Sequence, residues 1–171
     1  FQALLATKAE KQITTALVDF NEADLMAGDV DVAIDCSTVN YKDALAMSGR
    51  APVIQKFPLI PGIDFAGTVT ASSHPGFQPG DRVVANGWGL SQTHHGGYAQ
   101  KARVSGDWLI KLPDVFSTRD AMAIGTAGYT AMLAVLALEH AGLTPARGDV
   151  LVTGASGLVA LPVAAGPRAG T

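Results

Sequence analysis

Val30, Val32, Ile34 and Cys36 occupy every second position of the segment VDVAIDCS, with Asp31, Ala33 and Asp35 between them. A period of two predicts a half-buried strand. DFAGTVTAS (64–72) and DRVVANG (81–87) predict two further strands. Between them SSHPGFQPGD, dense in Pro and Gly, predicts a surface turn. GGYAQKARVSGDWLIKLP (96–113) predicts two more short strands joined at Ser105–Gly106. Up to about Phe116 the pattern is therefore β-rich. Several short strands with frequent glycine turns predict a barrel or sandwich rather than an open parallel sheet.

The pattern changes after Pro113. Ser117 is a candidate N-cap with Asp120 three residues on, an acidic variant of the capping box. DAMAIGTAGYTAMLAVLALEHAGL (120–143) is rich in Ala and Leu and nearly uncharged. It predicts two buried helical pieces around GTAG, ended by Gly142. DVLVTGASG (149–157) then predicts a short apolar strand running into glycines, as in a parallel sheet buried on both faces. The fold class expected is mixed β and α/β: a β-barrel over 1–116, then, over 117–171, buried helices and the truncated start of a Rossmann domain.

Composition narrows the function classes. The chain has 171 residues, 48% hydrophobic and 16% charged, enough for one good core. Net charge is −3 with no block of like charge, so neither nucleic acid nor an anionic membrane is indicated as a partner. Gly, Thr and Pro interrupt the apolar stretches, and no membrane-spanning helix is expected. The first residue is Phe1 rather than Met, and no basic-then-apolar leader follows it. The single cysteine, Cys36, excludes an internal disulfide and a zinc site built from several thiolates. A cytoplasmic location is the default reading.

Four stretches carry candidate chemistry. Gly154 and Gly157 have the spacing of a turn whose backbone N–H groups approach a pyrophosphate, and equally that of a strand-to-helix turn with no ligand. Asn40 with Asp43 can cap a helix. Tyr41 beside them has no capping role, and its phenol can donate to a carbonyl oxygen at the turn. Asp64, inside the apolar run LIPGIDFAG, needs a partner and reads first as a turn carboxylate accepting N–H bonds. His94 and His95 read as exposed or loop-lining rather than as metal ligands. His74 reads as solvated, and His140 as a cation at a helix C-terminus.

The segments NYKDALA, PLIPGIDFAGTV, GDWLIKLP, IGTAGYTAML and VLVTGASG, in this order, resemble the medium-chain dehydrogenase/reductase superfamily. Within it they resemble the zinc-free acryloyl-CoA reductase group, close to quinone oxidoreductases. The match runs from Phe1 to about Gly157. It implies a GroES-like barrel carrying substrate-side residues, and a Rossmann domain binding NADPH. The implied reaction is reduction of a 2-enoyl-CoA thioester to the saturated thioester. By position, Asn40 and Tyr41 are the implied catalytic residues, facing the nicotinamide and the substrate carbonyl. Tyr41, Ala44, Thr126, Gly154, Gly157, Leu158 and Val159 are the implied cofactor contacts. The catalytic zinc positions of zinc-dependent relatives fall on Asn40, Ile63 and Thr126, so no metal is implied. The family also suggests a homodimer. After Gly157 the sequence LVALPVAAGPRAGT departs from the family, which implies the front half of such an enzyme with little activity of its own. A zinc-free quinone oxidoreductase, and a non-catalytic GroES-like binding domain or defective fragment, are the competing readings.

Overall fold

A computed structural model describes residues 1–10, 12–154, 157 and 159. In chain order the regular elements are β1 (Gln2–Ala9), β2 (Gln12–Asp19), β3 (Val30–Cys36), α1 (Tyr41–Ser48), β4 (Asp64–Ser72), β5 (Arg82–Asn86), β6 (Lys101–Val104), β7 (Leu109–Lys111) and α2 (Thr118–His140). Short 3₁₀ turns lie at 22–24, 106–108 and 145–147. The chain divides into two compact units, one of residues Phe1–Gly125 and one beginning at Thr126. The sequence put the corresponding change after Phe116.

In the first unit, β6-β3-β4-β5-β7 form one antiparallel sheet, and β1 and β2 pair as a separate hairpin. The alternation read from VDVAIDCS is real. Val30 and Val32 point into a core shared with Phe65, Val69, Val83, Ala85, Leu90, Ala102, Val104 and Leu109. The hairpin is fastened by single bridges from Ala3 to Ala99 and from Ala6 to Leu59. Ala6 and Leu59 join Ala46 of α1 and Ile54 in a second cluster. A third cluster packs Ala121 and Met122, the start of α2, against Ala66 of β4 and Leu112.

α2 begins as the sequence predicts. Ser117 Oγ accepts from Asp120 N–H, while the Asp120 carboxylate accepts from both the N–H and the hydroxyl of Ser117. The two helical pieces meet at Gly125, whose φ of 52° and ψ of −165° are not helical. A Cβ there would sit 3.0 Å from Thr38 Cγ2 in a backbone conformation that L side chains avoid, so the kink requires glycine. Gly142, with φ of 84°, ends the helix, and Leu143 N–H returns to Leu138 O.

Three expectations need correction. The second helical piece is not buried: Tyr129, Met132, Leu133 and Leu136 are each about half exposed. Its apolar content exceeds the surface that the described residues offer to cover it. By length and apolar composition α2 has the make-up of a membrane span, because its few Gly and Thr do not offset its Ala, Leu, Val and Met. The kink limits it: the fifteen residues from Thr126 to His140 rise about 22 Å, short of the ~30 Å of a hydrocarbon core. Finally, Val150–Val152 form no strand. A strand needs a ladder partner for its N–H and C=O groups, and none stands beside it among the described residues.

Candidate active site

The corner between β3 and α1 concentrates the polar chemistry of the first unit. A register shift between Ile34 and Cys36 ends the regular ladder of β3, and residues 37–40 leave the sheet without regular structure. Two carboxylates with no exposed surface hold this corner. Asp43, in the first turn of α1, accepts from Asn40 N–H (2.9 Å) with one oxygen and from Ile63 N–H (3.1 Å) with the other. Asn40 and Asp43 thus take the capping-box positions read from the sequence. Asp64, the first residue of β4, accepts from Thr38 N–H (3.0 Å), from the Thr38 hydroxyl (2.6 and 2.8 Å) and from Asn40 Nδ2 (3.1 Å). It is the anchoring turn carboxylate that the sequence suggested. Ser37 Oγ adds a bond to Asp64 O at 2.7 Å.

Tyr98 completes the corner, and sequence reasoning missed it. Its hydroxyl donates to Thr38 O at 3.0 Å and also interacts with the Asp43 carboxylate. The residue arrives there because the chain passes tightly under β4. A Cβ on Gly97 would lie 2.2 Å from Asp64 O, so only glycine lets this loop run against the strand. The Gly96-Gly97 pair was the visible signal, but it does not say which side chain it delivers. Burial pushes the Asp43 carboxyl above its usual range, against the lowering effect of its bonds from Asn40 and Tyr98. The Tyr98 phenol is pushed up too, by burial first and then by the Asp43 charge.

Tyr41 behaves differently. It is 80% exposed, and its hydroxyl meets no carbonyl of the turn. The carbonyl donor foreseen for Tyr41 is in fact Tyr98, because Tyr41 opens α1 and projects outward. Ala44, one turn along, is also exposed. Asn40, Tyr41 and Ala44 thus share one helical start. Thr126, Gly154, Gly157 and Val159 belong to the second unit. There Thr126 O accepts from the Thr130 hydroxyl, and Gly157 N–H closes on Gly154 O at 2.8 Å, with Gly154 at φ of 65°. Val159 lies in a turn, and Leu158 lies outside the described residues.

The histidines depart from expectation. His94 and His95 are both buried. Residues 87–95 fold back through left-handed backbone at Gly87, Trp88, Gly89 and Ser91, which turns both rings inward. His95 Nδ1 accepts from Ile60 N–H at 3.1 Å, and His94 packs edge-on against Trp108. His74 is not free in solvent but pairs with Asp107 at 3.3 Å. Among the described residues, no three His, Cys, Asp or Glu side chains gather as a metal site would need.

A five-stranded antiparallel sheet with a capped helix leaving β3, and a polar corner at that exit, define the class. The chain belongs to the alcohol dehydrogenase GroES-like domain family, which it matches over residues 26–114, just over half its length. It is 53% identical over 159 residues to the acrylyl-CoA reductase AcuI of Ruegeria pomeroyi, a match covering 92% of this chain and 48% of that protein. It is 43% identical over 157 residues to the putative quinone oxidoreductase YhfP of Bacillus subtilis, covering 92% of this chain and 48% of that one. The yhdH oxidoreductase of Salmonella enterica, solved in complex with NADP, superposes with a TM-score of 0.94 at 51% identity, over 96% of this chain and 51% of that one. The chain therefore spans about half the length of the curated relatives it matches.

Proposed function

We propose that this chain carries the substrate-side domain of an NADPH-dependent reductase acting on the carbon–carbon double bond of a 2-enoyl-CoA of the acryloyl type, working in the cytoplasm. The observation that carries the reading is the exposed Tyr41 phenol on a corner held by two buried carboxylates, in a chain 53% identical to an acrylyl-CoA reductase. Reduced nicotinamide, when bound, supplies the hydride for the β-carbon. Negative charge then develops on the thioester oxygen, and the reading assigns Tyr41 as its hydrogen-bond donor. Gly154 fits a glycine turn beside the cofactor, since its φ is positive and a Cβ would meet open space. Gly157, with its N–H turned to Gly154 O, fits less well. Tyr41, Ala44, Thr126, Leu158 and Val159 are the other residues the reading assigns to NADPH.

In the enzyme at its relatives' length, Tyr41→Phe should lower turnover of acryloyl-CoA by about 10²–10³, the effect of a lost oxyanion donor, with the fold intact. Unchanged turnover would reduce Tyr41 to a surface residue. NADPH consumption with quinones but not with acryloyl-CoA would favour the quinone reading, which the 43% identity to YhfP keeps in view. The 171-residue chain alone should bind NADPH weakly or not at all by calorimetry. Metal analysis should find no stoichiometric zinc, because Ile63 cannot ligate it and Asn40 and Thr126 are poor ligands.

A further inference from the structure

We infer that Asp64 is a positioning residue of this active site: through Thr38 and Asn40 it fixes the corner that presents Tyr41, and Asn40 acts through Asp64 rather than by touching substrate. The inference rests on the reading above in taking Tyr41 as the donor.

The hydrogen-bond inventory carries it. A carboxylate only accepts, so the edge of Asn40 facing Asp64 must be its NH₂ group. That group donates to Asp64 Oδ2 at 3.1 Å and to Thr38 Oγ1 at 2.9 Å. The Thr38 hydroxyl can accept from Asn40 because its own hydrogen goes to Asp64. Both amide hydrogens of Asn40 are then committed inside the protein, and none remains for a thioester oxygen. Asp43 already supplies the N-terminal capping of α1 through Asn40 N–H. A second buried carboxylate is not needed for the helix, and burying one is unfavourable unless it is well bonded. The bonds to Asp64 from Thr38 and Asn40 end on the irregular residues 37–40 rather than on the sheet. The function they serve is the shape of the corner. Among the groups the corner leaves exposed, Val39 and Lys42 included, the Tyr41 phenol is the donor that the reading above assigns to the thioester oxygen.

The experiment is a polarity swap with two readouts. Asp64→Asn leaves one acceptor oxygen for three donors. Asn40→Asp sets two carboxylates against each other. Asp64→Asn combined with Asn40→Asp restores a donor–acceptor pair with its direction reversed. The first readout is NMR of the 171-residue chain with ring-labelled tyrosine, which has only Tyr41, Tyr98 and Tyr129 to resolve. The Tyr41 and Tyr98 signals should shift in each single variant and return in the double, while Tyr129 stays. The second readout is turnover in the full-length enzyme. kcat should fall on the order of tenfold to a hundredfold in each single variant, as for a misplaced reacting group, with KM changed far less, and should recover in the double. If Asp64→Asn fails to fold, Asn40→Asp and the double variant decide the matter by the same pattern. Unmoved tyrosine signals in the single variants would overturn the inference. So would restored signals with turnover still lost, since Asn40 would then be needed at the substrate itself. A full-length wild-type enzyme that does not reduce acryloyl-CoA would sink the functional reading, while the NMR arm would still judge Asp64.

Discussion

The two pieces of α2 are both helical, yet they differ in how far their apolar side chains are buried. Before the kink, Ala121 and Met122 are buried against β4 and the end of β7. After it, Tyr129, Met132, Leu133, Leu136 and Leu138 are exposed, and Ala131 is the buried exception. Helix-favouring residues run through both pieces, Ala and Met before the kink and Ala and Leu after it. Helix formation and burial are thus separate events here. The first unit has a sheet whose faces must be covered, and its residues find partners. The second has helix-forming sequence whose apolar side chains find few among the described residues.

A pair of truncations tests that contrast most strongly. Phe65→Ala empties a fully buried site in the β-sheet core and should destabilise the chain by about 3–5 kcal/mol. Leu136→Ala removes as apolar a side chain from an exposed position and should change stability by no more than about 0.5 kcal/mol. Denaturant midpoints of the 171-residue chain would show the difference. A loss of several kcal/mol on Leu136→Ala would mean that this face is covered in solution, by a second copy or otherwise.

A smaller effect probes the junction itself. Ser117 and Asp120 exchange bonds at the start of α2, on the buried side of the kink. Ser117→Ala should cost about 1 kcal/mol, the usual value of a lost N-cap. The loss should appear in amide exchange of residues 120–123, leaving 130–138 unchanged. Equal deprotection on both sides of Gly125 would show that the two pieces melt together and that the kink does not separate them.

What the sequence revealed follows the same division. β3 and β5 were legible because each has one face in the core and alternation records that directly; β4, buried on both faces at Phe65 and Ala66, showed instead as an apolar run after a Pro-Gly turn. The capping pairs Asn40–Asp43 and Ser117–Asp120 were legible because both partners lie within one turn. Tyr98 was not, since it reaches Thr38 across 60 residues through a glycine passage that has no pattern of its own. The apolar run Val150–Val152 misled because hydrophobicity signals a wish for burial, not the presence of a partner strand. Burial of His94 and His95 was hidden by the left-handed backbone turns of the 87–91 loop, at Gly87, Trp88, Gly89 and Ser91. Only two of those turns fall on glycine.

The finest test of the contrast is a pH slope that belongs to the first unit alone. His95 is buried, its Nδ1 accepts from Ile60 N–H, and its ring meets Phe20 edge-on at 5.3 Å. Burial holds its pKa below the ordinary 6.5, and the neighbouring His94 adds to the effect. Protonation would turn Nδ1 from acceptor to donor and set it against the Ile60 N–H. The unfolded chain therefore binds this proton more readily than the folded one. Stability should rise with pH across the window between the depressed folded pKa and about 6.5, and should fall as pH is lowered through it. Above 6.5 both states are neutral and the contribution is flat. His95→Gln can keep an acceptor for Ile60 N–H while removing the titration. Its denaturant midpoint should follow the wild type at pH 8 and lose less on acidification to pH 5. The pH dependence of Tyr129 fluorescence or of exchange in 130–138 should not change between the two proteins. A wild-type slope retained in His95→Gln would place the responsible proton elsewhere, and not on Asp43. Its raised pKa predicts the opposite sign, stability falling as pH rises above the ordinary carboxylate value, so the sign of the residual slope alone tells the two apart.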